Sequence, residues 1–407
     1  MSEPLFSGLK VVDVSSVIAA PVAAMMLGDF GASVIKIEPP EGDFLRLLSD
    51  IPTTPDADND YFWHMDGRHK RSLALNLKHP RGDEILRQLI AGCDVYITNQ
   101  PFPVRRSLKL EYEDVKPLNP KMIYASLTAY GEAGPERDAK GFDLVAYWAR
   151  SGLMDLVRDS EGHPAQALPG MGDHPTWVAL YAAIVTALLR RERTGEGSMV
   201  GTSLLANGLW SAASVAGGAF AGGDMAAFRE RIRHPSPFSA VYQTQDNRYL
   251  QFSMVRTPAE IEGLFGALGL EALFEDPRFN TPESRQDHRE VLVPILRQRI
   301  GEQSSDYWID VMAKAKVPIN RVQRMEEVIS DAQIMANNMV IKPASADHPV
   351  PLIIDHPVRV GSVSGAGAAR APTLDEHSDE ILSELGLSAA EILALHADGV
   401  VGPSIME

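Results

Sequence analysis

Short runs of β-branched and aliphatic residues alternate with helical stretches through the N-terminal part of the chain. The apolar runs predict strands at Leu9–Val14, Ser33–Ile37, Leu73–Leu77, Val95–Thr98 and Ile123–Leu127. The segments between them, such as Pro21–Phe30 and Arg81–Ala91, are predicted to be helices. This alternation is typical of a mostly parallel β-sheet covered by helices, so we expect an α/β fold.

A stretch rich in small residues, Ala213–Asp224, separates this region from a different pattern. Its glycines are typical of a hinge between domains, and a mobile active-site loop is the alternative. After it, Val241–Thr244 and Tyr249–Met254 flank a polar turn, which predicts a β-hairpin in a smaller mixed domain. We expect domains at residues 1–224, 225–330 and 331–407. The last segment carries two strand-like runs and two helical stretches, at Val350–Ile354, Val358–Val360, Ser378–Leu385 and Ala389–Ala397.

The overall charge narrows the choice of partners. The 407 residues include 54 acidic and 38 basic side chains, which gives a formal net charge of −16. Such a chain repels the phosphates of nucleic acids and of anionic membranes, so neither is an expected partner. An anionic small molecule is compatible with this charge where Lys and Arg side chains cluster locally.

Cysteine usage and the N-terminal residues predict the compartment. Cys93 is the single cysteine, so it cannot form an intrachain disulfide, and we expect it to be buried. No segment before Leu9 resembles a signal peptide, and the longest apolar stretches are interrupted by polar residues or glycine. These features predict a cytoplasmic protein without a transmembrane segment.

Glu38 raises the question of a dinucleotide. It ends the second predicted strand, where a dinucleotide-binding fold places the acid that binds ribose. The first loop, however, reads VSSVIAAP from Val14 and contains no glycine, whereas the dinucleotide fingerprint needs glycines for the approach of pyrophosphate. Nicotinamide or flavin binding is therefore not expected.

Basic residues cluster after the predicted strands. Lys78 follows the third strand, Arg105 and Arg106 follow the fourth, and Lys140 lies beyond the fifth. In a doubly wound sheet the loops after the strands share the carboxyl edge, where ligands usually bind. We expect these side chains to converge on an anionic ligand, although most single Lys and Arg side chains are simply exposed to solvent.

Asp173 is the main candidate for chemistry. It ends the run Pro169–Asp173, which contains two glycines, and precedes an amphipathic helix predicted at Pro175–Arg193. A carboxylate beside glycines can be approached closely by a substrate, so Asp173 is a candidate nucleophile. The alternative is a helix cap, because Asp is a preferred N-cap residue and the helix dipole favours an anion there.

Other common catalytic patterns have no support in the sequence. Cys93 and His377 lack partners at metal-ligand spacing, so no metal is expected. No serine stands in a Gly-x-Ser-x-Gly sequence, which excludes a hydrolase of the nucleophile-elbow type.

Eight segments, spread over nearly the whole chain, carry a resemblance to a known family. They are LKVVDVSSVIAAPVAAMMLGDFGASVIKIEPPEGD from Leu9, KRSLALNLKHPRG from Lys70, AYGEAGP from Ala129, GMGD ending at Asp173, RERTGEG from Arg191, DPRF from Asp276, VPINRV from Val317 and TLDEHSDEILSELGLS from Thr373. In this order they resemble the class III CoA-transferase family, which also includes formyl-CoA transferase, carnitine CoA-transferase and the α-methylacyl-CoA racemases.

The resemblance implies a Rossmann-like, doubly wound large domain built from both chain ends, with a smaller α+β domain inserted between them. It also implies an interlocked homodimer, in which each subunit threads through a ring made by the other. Asp173 matches the family's catalytic aspartate, which favours the nucleophile over the cap. The implied activity transfers CoA between an acyl-CoA and a carboxylic acid through an aspartyl-CoA thioester. The CoA thioester is then a substrate, and no tightly bound cofactor is expected.

The family's CoA-binding positions fall on the first loop and on the basic clusters. They are Val17, Ile18, Leu75, Lys78, Asn99, Arg105, Arg106, Lys140 and Phe142. Lys and Arg at these positions are expected to pair with the CoA phosphates. Ile18 stands where formyl-CoA transferase has a glutamine, and the glycine loop of that enzyme is not evident after Arg233, so formate and oxalate are not assigned as substrates.

A racemase is the main alternative within this family. The racemases pair the aspartate with a histidine in a Gly-His-Asp sequence, where this chain has Gly141, Phe142 and Asp143. Without that imidazole, one of the two bases needed for inversion is missing, so we favour the transferase. A non-catalytic acyl-CoA-binding protein is the third possibility, and the presence of Asp173 argues against it.

Overall fold

The computed structural model describes residues 3–158, 162–253, 255–343, 345–361, 363 and 367–403. The chain divides into two compact units. Within the described residues, the larger unit comprises 3–158, 162–221 and 336–403, and the smaller one lies within Gly222–Met335. Both ends of the chain therefore belong to the larger unit.

A six-stranded sheet forms the centre of the larger unit. Its strands are β1 (Lys10–Asp13), β2 (Ser33–Glu38), β3 (Arg71–Ala74), β4 (Val95–Thr98), β5 (Ile123–Thr128) and β6 (Ser198–Ser203). The spatial order is β3-β2-β1-β4-β5-β6, and every neighbouring pair is parallel. The predicted α/β fold with a parallel sheet is confirmed. Because the strand order reverses between β1 and β4, the sheet has the switch point of a Rossmann-like topology there.

The helices follow the predicted alternation with the strands. In chain order they are α1 (Ala19–Asp29), α2 (Tyr61–Asp66), α3 (Pro80–Gly92), α4 (Phe102–Ser107), α5 (Tyr112–Val115), α6 (Leu153–Leu156), α7 (Asp173–Thr194), α8 (Leu204–Ser211), α9 (Ala213–Phe220), α10 (Met225–Arg233), α11 (Pro258–Leu268), α12 (Ala272–Glu275), α13 (Pro282–Asp287), α14 (Arg289–Ile300), α15 (Ser305–Lys314), α16 (Met325–Val328), α17 (Ala332–Ala336), α18 (Ser378–Glu384) and α19 (Ala389–Ala397). A π-helical turn at Leu144–Ala149 precedes α6.

Helices cover both faces of the sheet because successive strand residues point to opposite sides. Val11 and Ile97 belong to a buried cluster with α1 and α7. Val12 and Tyr96 belong to a second cluster with α3, α18 and α19. Cys93 lies in this second cluster and is buried, as predicted. The C-terminal helices thus pack against the sheet that the N-terminal residues build.

The smaller unit has its own sheet and core. β7 (Val241–Gln243), β8 (Tyr249–Phe252) and β9 (Ile319–Arg321) are antiparallel, in the order β7-β8-β9. This confirms the predicted hairpin and adds a third strand. Buried residues of α11, α14 and α15 pack with these strands in one cluster.

Three predicted elements differ from the structure. Most of Ala213–Asp224, predicted as a hinge or a mobile loop, forms α9, and the boundary between the two units follows it, between Ala221 and Gly222. The C-terminal run at Val350–Ile354 is reduced to the two-residue strand β11 (Ile353–Ile354), which pairs with β10 (Val340–Ile341). Val358–Val360 forms no strand. A strand is defined by backbone hydrogen bonds to a neighbouring strand, and an apolar run that does not pair with another segment lacks these bonds.

β6 was not predicted, since the sequence SMVGTS has no aliphatic run. It lies at the edge of the sheet and, among the described residues, pairs with β5 alone, so its side chains are less buried than those of the central strands. Among the described residues, no helix is long and apolar enough to cross a membrane.

Candidate active site

A cavity of about 300 Å³ lies at the carboxyl edge of the parallel sheet. Residues that follow β1, β4, β5 and β6 line it, so it sits at the switch point where doubly wound sheets bind their ligands. It brings together six of the residues predicted from the sequence: Val17, Asn99, Arg105, Lys140, Phe142 and Asp173.

Asp173 is the first residue of α7 and faces this cavity. Gly172 occupies the N-cap position, and no side chain of the described residues caps the helix. In the part of the chain that the structure describes, the Asp173 carboxylate accepts no hydrogen bond. The alternative of a helix cap is therefore not supported, and the carboxylate is free to contact a ligand.

Two glycines make the loop before Asp173 possible. Gly170 has φ +86°, a conformation that side chains rarely adopt. At Gly172, a Cβ atom would lie 2.7 Å from Cγ of Tyr147 and 3.0 Å from Cβ of Asp143. The lack of a side chain therefore allows the turn at Gly170 and the close packing against Asp143 and the π-helical turn at Gly172.

Asp143 fixes this loop. Its Oδ2 accepts hydrogen bonds from the backbone N–H groups of Gly170 at 2.9 Å and Gly172 at 3.2 Å. Its Oδ1 accepts one from Leu144 N–H at 2.8 Å, and the side chain is buried. Both carboxylate oxygens are thus used to hold the backbone that presents Asp173.

His174 connects the loop to helix α2. Its Nδ1 lies 2.9 Å from the carbonyl oxygen of Gly170. Its Nε2 is buried and lies 3.5 Å from Oδ2 of Asp66, a residue that is only 2% exposed. This contact between His174 and Asp66 therefore lies directly beside the candidate nucleophile.

The surroundings of Asp173 favour a proton on its carboxyl group. Burial is the main cause that raises its pKa, from an ordinary 3.8 to about 7, and the negative charges of Asp143 and Asp66 add to it. The positive charge of His174 acts in the opposite direction. A carboxyl group with a pKa near neutrality is typical of catalytic sites.

The first loop forms the opposite wall of the cavity in a strained conformation. Val17 has φ +67°, which is rare for a β-branched residue and is found where the surrounding structure imposes it. The Val17 N–H donates to Oδ1 of Asp43 at 2.9 Å. Asn99 binds the backbone of Ser16 at both groups, accepting from its N–H at 2.9 Å and donating to its carbonyl at 2.8 Å.

A network of buried charged side chains contacts the backbone of this first loop and holds it in place. Lys36 Nζ lies 2.6 Å from Asp43 Oδ2 and donates to the Ser15 carbonyl, while Lys70 Nζ lies 2.9 Å from Asp13 Oδ2. All four charged side chains are at most 1% exposed. Burial alone acts to raise the pKa of Asp13, but Lys36 and Lys70 lower it below its usual value, so Asp13 is ionised.

Glu38 is also occupied within the protein. It accepts hydrogen bonds from Arg46 at 2.8 and 2.9 Å, from Ser72 Oγ at 2.7 Å and from Asp43 N–H at 3.0 Å. It is 1% exposed. Its carboxylate holds the loop after β2 and is not free for a ribose.

The neighbouring arginines of α4 have different environments. Arg105 is buried and donates to Ser126 Oγ at 2.8 Å and to the carbonyl oxygens of Gln100 and Leu127, so its guanidinium is largely used by the fold. Arg106 does not line the cavity and forms a surface ion pair with Asp138, with Nη2 2.5 Å from Oδ2.

The remaining predicted positions fall into two groups. Lys140 and Phe142 are exposed at the cavity, and Phe142 is 68% exposed despite being aromatic. Lys78 is exposed but is not a lining residue, while Ile18 and Leu75 are buried at 2% and 1% exposure. The structure thus places the side chains of these last two in the core rather than in the cavity.

Arg137 lines the cavity although it was not predicted. Its guanidinium lies 4.0 Å from the ring centre of Phe102, which also lines the cavity, and Nη2 lies 3.0 Å from Glu111 Oε1. Like Lys140, it is a basic residue after the fifth strand, so its position along the chain was the available signal.

Three potential metal ligands lie elsewhere in the larger unit. Oxygen or nitrogen atoms of Asp29, Asp355 and His356 are within 4.8 Å of one another. Arg68 donates to both carboxylate oxygens of Asp29, at 3.1 and 2.6 Å, and lies 3.9 Å from Asp355. Because Arg68 already occupies both oxygens of Asp29 and lies near Asp355, the group is better described as an ion-pair cluster than as a cation site.

Comparison with known proteins gives the family. The profile of CoA-transferase family III matches residues 6–378. The chain belongs to this family. It is 31% identical to an (R)-2-hydroxy-4-methylpentanoate CoA-transferase from Clostridioides difficile, over 95% of this chain and 97% of that protein. It is 30% identical to a cinnamoyl-CoA:phenyllactate CoA-transferase from Clostridium sporogenes, over 97% of this chain and 96% of the relative.

A mammalian relative and a solved structure extend the comparison. The mouse succinyl-CoA:glutarate CoA-transferase is 32% identical over 93% of this chain and 86% of its own length. A CAIB/BAIF family protein from Brucella suis has a TM-score of 0.80 at 28% identity, covering 94% of this chain and all of the other. This class III CoA-transferase therefore shares both the sequence and the fold of its family, whose members use CoA thioesters as substrates.

Proposed function

We propose that the protein transfers CoA between an acyl-CoA and a carboxylic acid through a covalent intermediate on Asp173. The observation that carries the proposal is a carboxylate without a hydrogen-bond partner among the described residues, at the start of α7 and facing a cavity at the switch point of the sheet. A side chain held in this way is exposed to an electrophile and is not needed as a cap.

The reaction exchanges acyl bonds of similar energy. The Asp173 carboxylate attacks the thioester carbon of the donor, which forms a mixed anhydride and releases CoA thiolate. The thiolate attacks the Asp173 carbonyl, giving an aspartyl thioester and the free donor acid. The acceptor carboxylate then attacks this thioester, and the released thiolate attacks the acceptor acyl group, which regenerates Asp173 and yields the new acyl-CoA. Water must be excluded, because hydrolysis of any intermediate would end the exchange.

The cavity supports CoA binding by its shape and its charges. Lys140 is exposed there without an ion-pair partner among the described residues, so it is available to a phosphate. Phe142 presents an exposed aromatic face at the same cavity. Val17 belongs to the first loop, and Asn99 holds that loop through its two hydrogen bonds with the Ser16 backbone. Arg105 acts by holding the loop after β4.

The racemase alternative is not favoured by the contacts of Asp143. Both of its carboxylate oxygens accept backbone N–H groups, so it does not replace the histidine that the racemases have before it. Phe142 cannot accept a proton. Incubation of a 2-methylacyl-CoA in deuterated water separates the two reactions, since a racemase exchanges the α-hydrogen without any acceptor acid.

Chemical trapping tests the proposal. The protein is incubated with acyl-CoA donors and with 2-hydroxy-4-methylpentanoate, phenyllactate or glutarate, the acids in the names of its relatives. Hydroxylamine should convert an aspartyl thioester to a hydroxamate on the peptide that contains Asp173. Asp173→Asn should give no hydroxamate and no transfer, whereas Asp287→Asn, an exposed control in α13, should behave as the native protein. A hydroxamate on another residue would overturn the site assignment.

We also propose a cytoplasmic, interlocked homodimer. Helices α8 and α9 leave large apolar side chains exposed, with Trp210 at 80% and Phe220 at 84%. Such surfaces are usually covered by another chain. Light scattering coupled to gel filtration should give twice the mass of 44.4 kDa.

A further inference from the structure

The contacts of His174 define its protonation state. Nδ1 faces the Gly170 carbonyl at 2.9 Å, and a carbonyl oxygen can only accept a hydrogen bond. Nε2 faces the Asp66 carboxylate at 3.5 Å. A neutral imidazole carries one N–H and can satisfy only one of these acceptors, whereas an imidazolium has an N–H on each nitrogen. Nδ1 therefore carries an N–H, while Nε2 and Asp66 Oδ2 are both buried, at ion-pair distance, and have no hydrogen-bond partner among the described residues. A second proton, on Nε2, would give this buried carboxylate the opposite charge that it otherwise lacks, so the geometry favours a doubly protonated ring.

The ring lies among acidic groups. Asp173 precedes it in the chain, Asp66 faces it from α2, and Asp143 approaches Asp173 from the π-helical turn. The basic side chains that line the cavity are Arg105, Arg137 and Lys140. Arg105 and Arg137 already interact with Ser126 and with Glu111, so His174 is the cation most directly linked to the nucleophile.

We propose that His174 is a positioning residue whose imidazolium, held by Asp66, keeps the adjacent Asp173 carboxylate ionised for nucleophilic attack. The inference rests on the proposed role of Asp173. The same ring contacts the Gly170 carbonyl of the glycine loop and faces Asp66 of α2. One side chain therefore places a charge beside Asp173 and also holds the backbone of the loop. Nδ1 contacts the Gly170 carbonyl, Nε2 faces Asp66, and His174 is not among the residues that line the cavity, so it acts on Asp173 and not on the substrate.

The pKa values agree with this arrangement. Burial acts to lower the pKa of His174, but the contacts with Asp66 and the Gly170 carbonyl raise it to about 9. At neutral pH the ring is then charged. Without this charge, Asp173 would have only burial and the two other carboxylates around it, all of which raise its pKa.

His174→Gln tests the role of the charge, since glutamine retains hydrogen-bond donors but is neutral. In the pH profile of kcat/KM, the apparent pKa of the acid limb should rise by about one unit or more, and activity should recover at high pH. His396→Gln is the matched control, because His396 also pairs with an aspartate: its Nε2 lies 2.8 Å from Oδ1 of Asp379. Neither residue lines the cavity. An unshifted acid limb in His174→Gln, with equal loss at every pH, would overturn the inference.

A measurement on the native protein keeps the inference testable if the variant fails to fold. With ¹⁵N-labelled histidine, His174 should show two protonated nitrogens at pH 7.5, and Asp66→Asn should remove one of them. A neutral His174 in the native protein would refute the proposal. Hydroxylamine trapping separates the proposed role of Asp173 from that of His174. An adduct away from Asp173 refutes Asp173 as the nucleophile. An adduct on Asp173, together with an unshifted pH profile in His174→Gln, refutes only the role of His174.

Discussion

The backbone nitrogen of Gly172 lies 3.2 Å from Oδ2 of Asp143, with no space between them for a larger residue. This contact sets the distance between the glycine loop and the π-helical turn. It also brings a second carboxylate close to Asp173, so the same geometry that presents the nucleophile raises its pKa.

Gly172→Ala should reduce both stability and activity. The new Cβ would approach Tyr147 Cγ to 2.7 Å, so the loop must move, at a cost of about 1–3 kcal/mol. A small displacement of Asp173 should lower kcat at least about tenfold. Gly266→Ala in α11 is the control: its Cβ meets nothing within 4 Å, and alanine should stabilise that helix by about 0.5–1 kcal/mol. Equal activity of both variants would contradict the close packing at Gly172.

Asp173→Asn should stabilise the protein at neutral pH. The pKa of Asp173 is about 7 in the folded protein against an ordinary 3.8, so between these values the folded state holds a proton that the unfolded state has lost. Stability therefore falls as the pH rises from about 4 to 7, and asparagine removes this loss. The gain should be about 2–4 kcal/mol at pH 8 and close to zero at pH 4, measured by urea unfolding. A variant that is less stable at pH 8 would contradict the raised pKa.

Lys140→Met should weaken the binding of acyl-CoA. If this exposed lysine pairs with a CoA phosphate, KM should rise roughly tenfold, since such charge-assisted contacts contribute about 1.5–3 kcal/mol. A pantetheine thioester without the nucleotide should show no change. Lys314→Met, an exposed lysine at the end of α15, serves as the control. An equal effect on both thioesters would indicate that Lys140 contacts another part of the substrate.

Arg105→Met and Arg106→Met should differ although the residues are adjacent. Loss of the buried Arg105 leaves Ser126 Oγ and the carbonyl oxygens of Gln100 and Leu127 without their donors, which should cost about 3 kcal/mol or more. Loss of the exposed Arg106 removes only a surface pair with Asp138 and should hardly change the unfolding midpoint. Thermal unfolding of both variants checks this, and similar midpoints would show that Arg105 is not structural.

The sequence was sufficient for those features that depend on local pattern. The apolar runs located β1 to β5, and α19 was predicted with the bounds that the structure has. Asp173 could be identified because its glycines stand next to it. The interaction of His174 with Asp66 could not be predicted, because the two residues are distant along the chain and meet only through the packing of α2 against the start of α7. In the same way, Arg105 and Arg106 look alike in sequence, and only burial separates them.

The four charges beneath the first loop restrict how this protein can diverge. Asp13 and Lys36 lie in β1 and β2, Asp43 follows β2, and Lys70 precedes β3. Replacing any one of them by a neutral residue leaves an unbalanced ion in the interior. We expect functional homologues to replace one acid and one base of this group together. A mutational scan should therefore find that single substitutions at these positions are not tolerated, whereas paired substitutions that keep the charge balance are tolerated. Covariation among these positions would then reflect the need to maintain the loop that lines the cavity, and not direct contact with a substrate.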